Sequence, residues 1–295
     1  MYRSDRLVLA HFWAAFAALA VAIPLGAWQM LVRSPLHRWV DPEMYYRAVT
    51  AHGTTLAYVF PTLIAMGFGY AVCAVSLGRP LHGTRLAWLA FWLVIGGALM
   101  AMATVAGGGA TVLYTFYPPL TGSAWYYLGI LTAVVGSWIW VGLMLSHFVR
   151  WKRDHPGLPV PLAVFATTAG ALLWAWTSLG VGAEVIFLIL PNAFGWTATI
   201  DPGIARVLFS WTLHAIVYFW LIPAYIAFYT LLPQAAGGRL YSDKMGRIAF
   251  VQLLIFSMPI GIHHLYADPQ IGAGFKFLHA VFTGMVAVPT LLTIF

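Results

Sequence analysis

The chain has 295 residues, is 62% hydrophobic and only 8% charged, and carries a formal net charge of +7. So little charge excludes an ordinary soluble domain, in which roughly a quarter of the residues are charged. The basic residues are divided among short segments, which argues against a nucleic-acid surface, and the lone Cys73 excludes an intramolecular disulfide or a Cys-based iron–sulfur or thiolate zinc site.

A bilayer-spanning helix needs about 20 apolar residues, and eight such runs follow one another at 8–31, 47–76, 86–106, 124–149, 160–190, 203–232, 246–265 and 275–295. They predict an all-α fold, a polytopic transmembrane helical bundle that makes residues 1–295 a single transmembrane domain. The first run is too long for a secretory leader and is followed by further spans, so it reads as the first membrane helix. With the N-terminus in the cytoplasm, Arg3, Arg6, Arg79, Arg85, Arg150, Lys152, Arg153, Arg239, Lys244 and Arg247 lie inside, against Arg33, Arg38, Arg47, Arg206 and Lys276 outside. That asymmetry follows the positive-inside rule. The connection at 107–123 carries no charge and is expected to pack against protein at the outer surface. The polar, basic connection at 233–247 reads as a cytoplasmic turn. The last run stops at Phe295 with no basic flank and no helix-ending signal, as in a chain cut inside or just after a span.

The sixth run holds the densest chemistry. His214, Tyr218, Tyr225 and Tyr229 fall within about 60° of one another at 100° per residue, on an otherwise apolar helix. The stripe runs about 22 Å inward at 1.5 Å per residue. The seventh run adds the adjacent pair His263 and His264, with Pro259 four residues ahead to bend the helix. In the predicted topology His52, His214, His263 and His264 all lie in the outer half of the membrane. Three imidazoles without thiolate or carboxylate suit copper or zinc. Adjacent residues on a helix point about 100° apart, so a shared ion requires a loosened helix end. Tyr218, one turn below His214, could bond a metal-bound ligand or give up a hydrogen atom, a use that zinc does not have. Thr290 and Thr293 on the eighth run, with Tyr225 and Tyr229, could form a polar wire for protons; helix–helix hydrogen bonding is the alternative role. Glu184 is the one acidic residue inside a span and so a functional candidate. It is either a proton relay or a protonated acid bonded to a neighbouring helix.

Four segments together resemble subunit I of the haem–copper oxygen reductases, specifically the B family of terminal oxidases. They are Thr-Leu-His214-Ala-Ile-Val-Tyr218-Phe-Trp-Leu-Ile-Pro-Ala-Tyr225, Gly-Ile-His263-His264-Leu-Tyr-Ala-Asp-Pro, Val-Ala-Val-Pro-Thr-Leu-Leu-Thr and Tyr-Thr-Phe-Tyr-Pro-Pro-Leu. The resemblance implies that His214, His263 and His264 bind the catalytic copper and that Tyr218 is covalently linked to His214, giving an electron and a proton during O–O cleavage. It makes His52 an axial ligand of the low-spin haem, and it places Tyr225, Tyr229, Thr290 and Thr293 in a cytoplasmic proton channel. The implied reaction is reduction of O2 to water by cytochrome c, coupled to proton pumping in the prokaryotic cytoplasmic membrane. Electrons would arrive through a subunit II with a dinuclear copper centre.

One departure stands against the resemblance. The family has at least twelve spans, and a His-x-His pair on the tenth binds both haem irons. His147 and His279 occupy no matching motif, so the chain holds the copper site and half of the low-spin haem site, without the axial ligand of the high-spin haem. It is therefore expected to be the N-terminal part of a larger subunit. Three alternatives stay open: a nitric oxide reductase large subunit, which shares the three His but typically lacks the helix-six tyrosine; a membrane metal or proton transporter; and a short copper-binding protein without oxygen chemistry.

Overall fold

The computed structural model describes residues 3–35 and 41–292. Its helices are α1 (Arg3–Arg33), α2 (Pro42–Leu77), α3 (Thr84–Ala106), α4 (Ala124–Asp154) and α5 (Leu162–Ala193). They are followed by α6 (Pro202–Leu213), α7 (Ala215–Ala235), α8 (Asp243–Ser257), α9 (Ala273–Met285) and α10 (Ala287–Leu292). No strand occurs among the described residues. Among the described residues seven segments are long and apolar enough to cross a membrane, α6–α7 and α9–α10 each counting as one. The run expected over 246–265 is shorter than these: the 15 residues of α8, then a 3₁₀ turn over Ile260–Leu265.

Local chemistry explains the helix ends and their irregularities. The Asp-Pro pairs at Asp41 and Asp201 start α2 and α6: each carboxylate accepts from backbone N–H groups of the first turn, and the proline lacks the N–H that would be orphaned there. Inside α2 and α5 the helix widens to π turns at Thr55–Val59 and Val185–Ile189. Each is followed two residues later by a proline, Pro61 or Pro191, whose ring and missing donor disrupt the ordinary ladder. Both wide turns adjoin candidate site residues, His52 in the first helix and Glu184 in the second.

Small residues let the helices approach closely, as membrane packing without a hydrophobic drive requires. At Gly129 a β-carbon would stand 2.7 Å from the backbone nitrogen of Ala101, and at Gly136 it would stand 2.8 Å from the carbonyl of Ala90, so α3 and α4 meet backbone to backbone. Buried aromatics fill the centre: Trp174, for one, stacks on Phe219 at 4.8 Å and donates from Nε1 to Ser137 Oγ at 2.7 Å. The uncharged connection at 107–123 packs against protein as expected. Val112 and Phe116 are buried in it, Leu113 N–H donates to Thr50 Oγ1 (2.9 Å), and Tyr58 Oη donates to the Tyr114 carbonyl (3.0 Å).

Candidate metal centre

The sixth apolar run is not one unbroken helix. It changes at His214, where α6 ends and α7 begins (φ −96°, ψ −37°), and the His214 carbonyl accepts from Val217 N–H at 3.0 Å in place of a full helical bond. The second break comes after Ser257. Proline at 259 cannot continue the ladder, and the chain tightens into the 3₁₀ turn that carries both His263 and His264. The Met258 carbonyl freed there accepts from Trp176 Nε1 of α5 at 3.0 Å. Gly261 lies directly on the Ser210 carbonyl of α6, where a β-carbon would have no room. A glycine is thus what brings the turn against the helix that carries His214.

The three imidazoles converge. Ring centroids are 4.2 Å apart for His214 and His263, 5.2 Å for His214 and His264, and 4.3 Å for His263 and His264. One nitrogen of each lies within 4.8 Å of the others, the one group of three or more such ligands found among the described residues. His214 Nδ1 stands 3.1 Å from His264 Nε2. Nitrogens bound to one ion at about 2.0–2.1 Å, at tetrahedral to trigonal angles, would lie about 3.3–3.6 Å apart, so the His214–His264 pair needs only a small outward adjustment to share a metal. The loosened helix end that a shared ion demands is present as the 3₁₀ turn.

A supporting bond orients one ligand. His263 Nδ1 lies 3.1 Å from Thr283 Oγ1 of α9, which leaves Nε2 for the ion. Thr283 carries no periodic or motif signal in the sequence, and only the docking of α9 on the turn reveals it. Tyr218 sits beside the cluster, its ring centroid 5.5 Å from that of His214.

His52 stands apart from the three. Its Nδ1 lies 2.9 Å from the Ala22 carbonyl of α1, so the Nδ1–H tautomer leaves Nε2 as an acceptor for an iron. Gly26 makes room for the ring: a β-carbon there would be 2.5 Å from His52 Cε1. Lower in the bundle, Tyr229 Oη donates to the Leu292 carbonyl at 3.2 Å, which brings the tyrosine stripe to α10, where Thr290 sits. Thr293 and Arg38 lie outside the described residues. Glu184 is completely buried, and neither carboxyl oxygen has a hydrogen-bond partner. Of the two roles open to it, proton relay or an acid bonded to a neighbouring helix, the second has no such bond in the structure. His147 is also elsewhere, its ring 4.0 Å from that of His82.

An apolar multi-helix bundle that gathers three imidazoles beside a tyrosine defines a multi-pass membrane protein with a ready metal-ligand set. Its family is equally definite: residues 6–295 match the family of cytochrome c and quinol oxidase polypeptide I, and the chain belongs to it. It is 40% identical over 302 residues to "Cytochrome c oxidase subunit 1" of Thermus thermophilus, covering all of this chain and 53% of that protein. The corresponding protein of Thermostichus vulcanus is 26% identical, with 87% of this chain and 49% of that one covered. A solved structure described as a heme-copper terminal oxidase dimer superposes with a TM-score of 0.94 at 37% identity, over 100% of this chain and 51% of its own. The chain thus spans about half the length of these relatives.

Proposed function

We propose that the chain supplies the copper-binding part of the catalytic subunit of a terminal oxidase, a cytochrome c oxidase of the B family that reduces O2 to water and pumps protons. The observation that carries this reading is the convergence of His214, His263 and His264 beside Tyr218 in a chain of this family. The donor set fits copper: three neutral nitrogens, no thiolate and no carboxylate at the cluster, and one outer nitrogen anchored by Thr283. His52 fits haem iron, because its outer nitrogen is engaged by Ala22 and its inner one is available.

Copper and haem, when bound, would supply the electron transfers that oxygen reduction needs. The chain's own residues do the rest. His214, His263 and His264 would hold the copper, and the break at His214 together with Gly261 sets their mutual distance. Tyr218 presents a phenol to the same space and would deliver an electron and a proton; its covalent link to His214 belongs to the same proposal. Tyr225, Tyr229, Thr290 and Thr293 would form the cytoplasmic proton path, a reading supported by the Tyr229–Leu292 bond between α7 and α10. The basic asymmetry supports a cytoplasmic N-terminus in a prokaryotic inner membrane. A subunit II with a dinuclear copper centre, cytochrome c and O2 are the proposed partners, and residues 1–295 form one transmembrane domain.

The test is oxygen uptake by the complex purified with this subunit in its natural length, fed with reduced cytochrome c, beside its copper and haem content. Oxygen consumption with both metals present supports the proposal. Nitric oxide consumption without oxygen uptake, or a preparation without copper and haem, overturns it.

A further inference from the structure

Among the described residues Glu184 is the one carboxyl buried within a helix that the proposed metal centre and cytoplasmic path do not use; Asp268, also buried, lies in a connection and is paired with Arg206. It ends the regular part of α5, at the entry to the π turn over Val185–Ile189. Its burial is complete, and both oxygens are without a hydrogen-bond partner. The titratable groups that face it are three phenols from three elements: Tyr58 of α2, Tyr117 of the 107–123 connection and Tyr127 of α4. None of them carries a positive charge; the Arg206 guanidinium lies over the Tyr117 ring at 5.9 Å and is paired with Asp268. Beside Tyr117 lies Ser210 of α6, whose Oγ is also buried and without a partner in bonding geometry.

The position relative to the metal ligands follows from the antiparallel pairing of α5 and α6. Thr212 Oγ1 accepts from Val181 N–H at 2.8 Å and donates to the Thr177 carbonyl at 2.7 Å. His214 is two residues beyond Thr212 in one direction, and Glu184 is about one turn beyond Val181 in the other. Those five residues make an axial separation of about 7.5 Å at 1.5 Å per residue. The stripe of Tyr225 and Tyr229 leaves His214 on the opposite side, so Glu184 is no part of that path.

A fully buried carboxylate with no hydrogen bond and no ion pair is costly, whereas the neutral acid has no charge to solvate. We propose that Glu184 is held as a carboxylic acid and serves as a second proton-holding site, on the far side of the metal centre from the tyrosine stripe. Its proton is released from the carboxyl O–H when the charge at the centre changes. Passing it to the neighbouring Tyr117 requires a hydrogen bond that forms at that moment; the hydroxyl accepts one proton as it donates another, so only Glu184 alternates between acid and carboxylate. The link to the metal centre rests on the oxidase reading, but the presence of the acid does not.

The experiment is infrared spectroscopy of the full-length complex in H2O and in D2O, as absolute spectra and as reduced-minus-oxidised differences. Native protein should show a carboxylic-acid C=O band that shifts down in D2O. Glu184→Gln should lose it, Glu184→Asp should retain it at a shifted position, and Tyr117→Phe should move it without removing it. The band should also appear in the redox difference. Identical acid bands in native and Glu184→Gln protein, or loss of an ionised carboxylate band instead, would overturn the inference. An acid band present in absolute spectra but silent in the redox difference, in protein with full copper and haem, would overturn its role as a site coupled to the centre. Copper and haem content of the same samples separates this result from failure of the oxidase reading: protein lacking both metals sinks that reading, while the absolute spectra still decide whether Glu184 is an acid. The Asp variant keeps the test decisive if the Gln variant does not fold.

Discussion

His214 Nδ1 and His264 Nε2 stand 3.1 Å apart although 50 residues separate them in the chain. Two helix interruptions create that approach, one at His214 itself and one after Ser257, and Gly261 closes the gap between the segments. Neither imidazole has a carboxylate to compete for it, so a soft or borderline ion is the natural occupant.

Removal of one ligand tests the cluster directly. His214→Ala is expected to abolish stoichiometric copper in purified complex while haem bound elsewhere remains, measured by elemental analysis against the visible spectrum. Unchanged copper would remove His214 from the ligand set.

Thr283 offers a subtler test, because it touches His263 and not the ion. Thr283→Val keeps the shape and deletes the hydrogen-bonding oxygen at 3.1 Å. Copper affinity should fall by about 10–100-fold, the usual effect of losing a ligand's outer partner, and Thr283→Ser should restore it. Equal copper titrations for all three proteins would show that Thr283 does not orient the ring.

The packing of Gly261 on the Ser210 carbonyl makes a backbone prediction. Gly261→Ala must push the turn away from α6, with a stability loss of about 1–3 kcal/mol, as for other overpacked interiors. The same displacement should separate His214 from the His pair, so copper loss should accompany the lowered midpoint in thermal unfolding. A variant with native stability and full copper would mean that the turn can slide without parting the ligands.

For Tyr218 the expectation is loss of chemistry without loss of structure. Tyr218→Phe should retain copper and haem yet slow oxygen reduction by at least about 100-fold, the lower range for a positioned proton donor. Full turnover would return Tyr218 to a packing role.

Tyr229 is the point where the stripe reaches the last described helix, through its bond to Leu292. Tyr229→Phe removes that hydroxyl and should slow proton uptake from the cytoplasmic side in reconstituted vesicles. An unchanged uptake rate would make the bond purely a helix–helix contact.

Much of the centre was legible in one dimension. The 3.6-residue period alone aligned His214, Tyr218, Tyr225 and Tyr229 on one face, and Pro202–Ala235 still forms one span across the change at His214. The requirement for a loosened helix end at His263–His264 followed from the angle between adjacent residues, and Pro259 marked the place. Glu184 stood out by charge, yet its surroundings did not: the phenols of Tyr58, Tyr117 and Tyr127 come from segments far apart in the chain. Thr283 and Gly26 carried no signal, since a lone threonine or glycine in an apolar run has many uses.

The sequence by itself determined seven of the eight expected apolar spans, the tyrosine stripe and the identity of the three imidazoles, because these depend on composition and on the fixed geometry of a single helix. Only the tertiary structure decided how the imidazoles face one another, which outer groups hold His52 and His263, and that Glu184 has no partner. Those outcomes depend on how closely two backbones approach. That distance is set jointly by small residues on different helices, such as Gly261 against Ser210, and no periodicity within one segment encodes it.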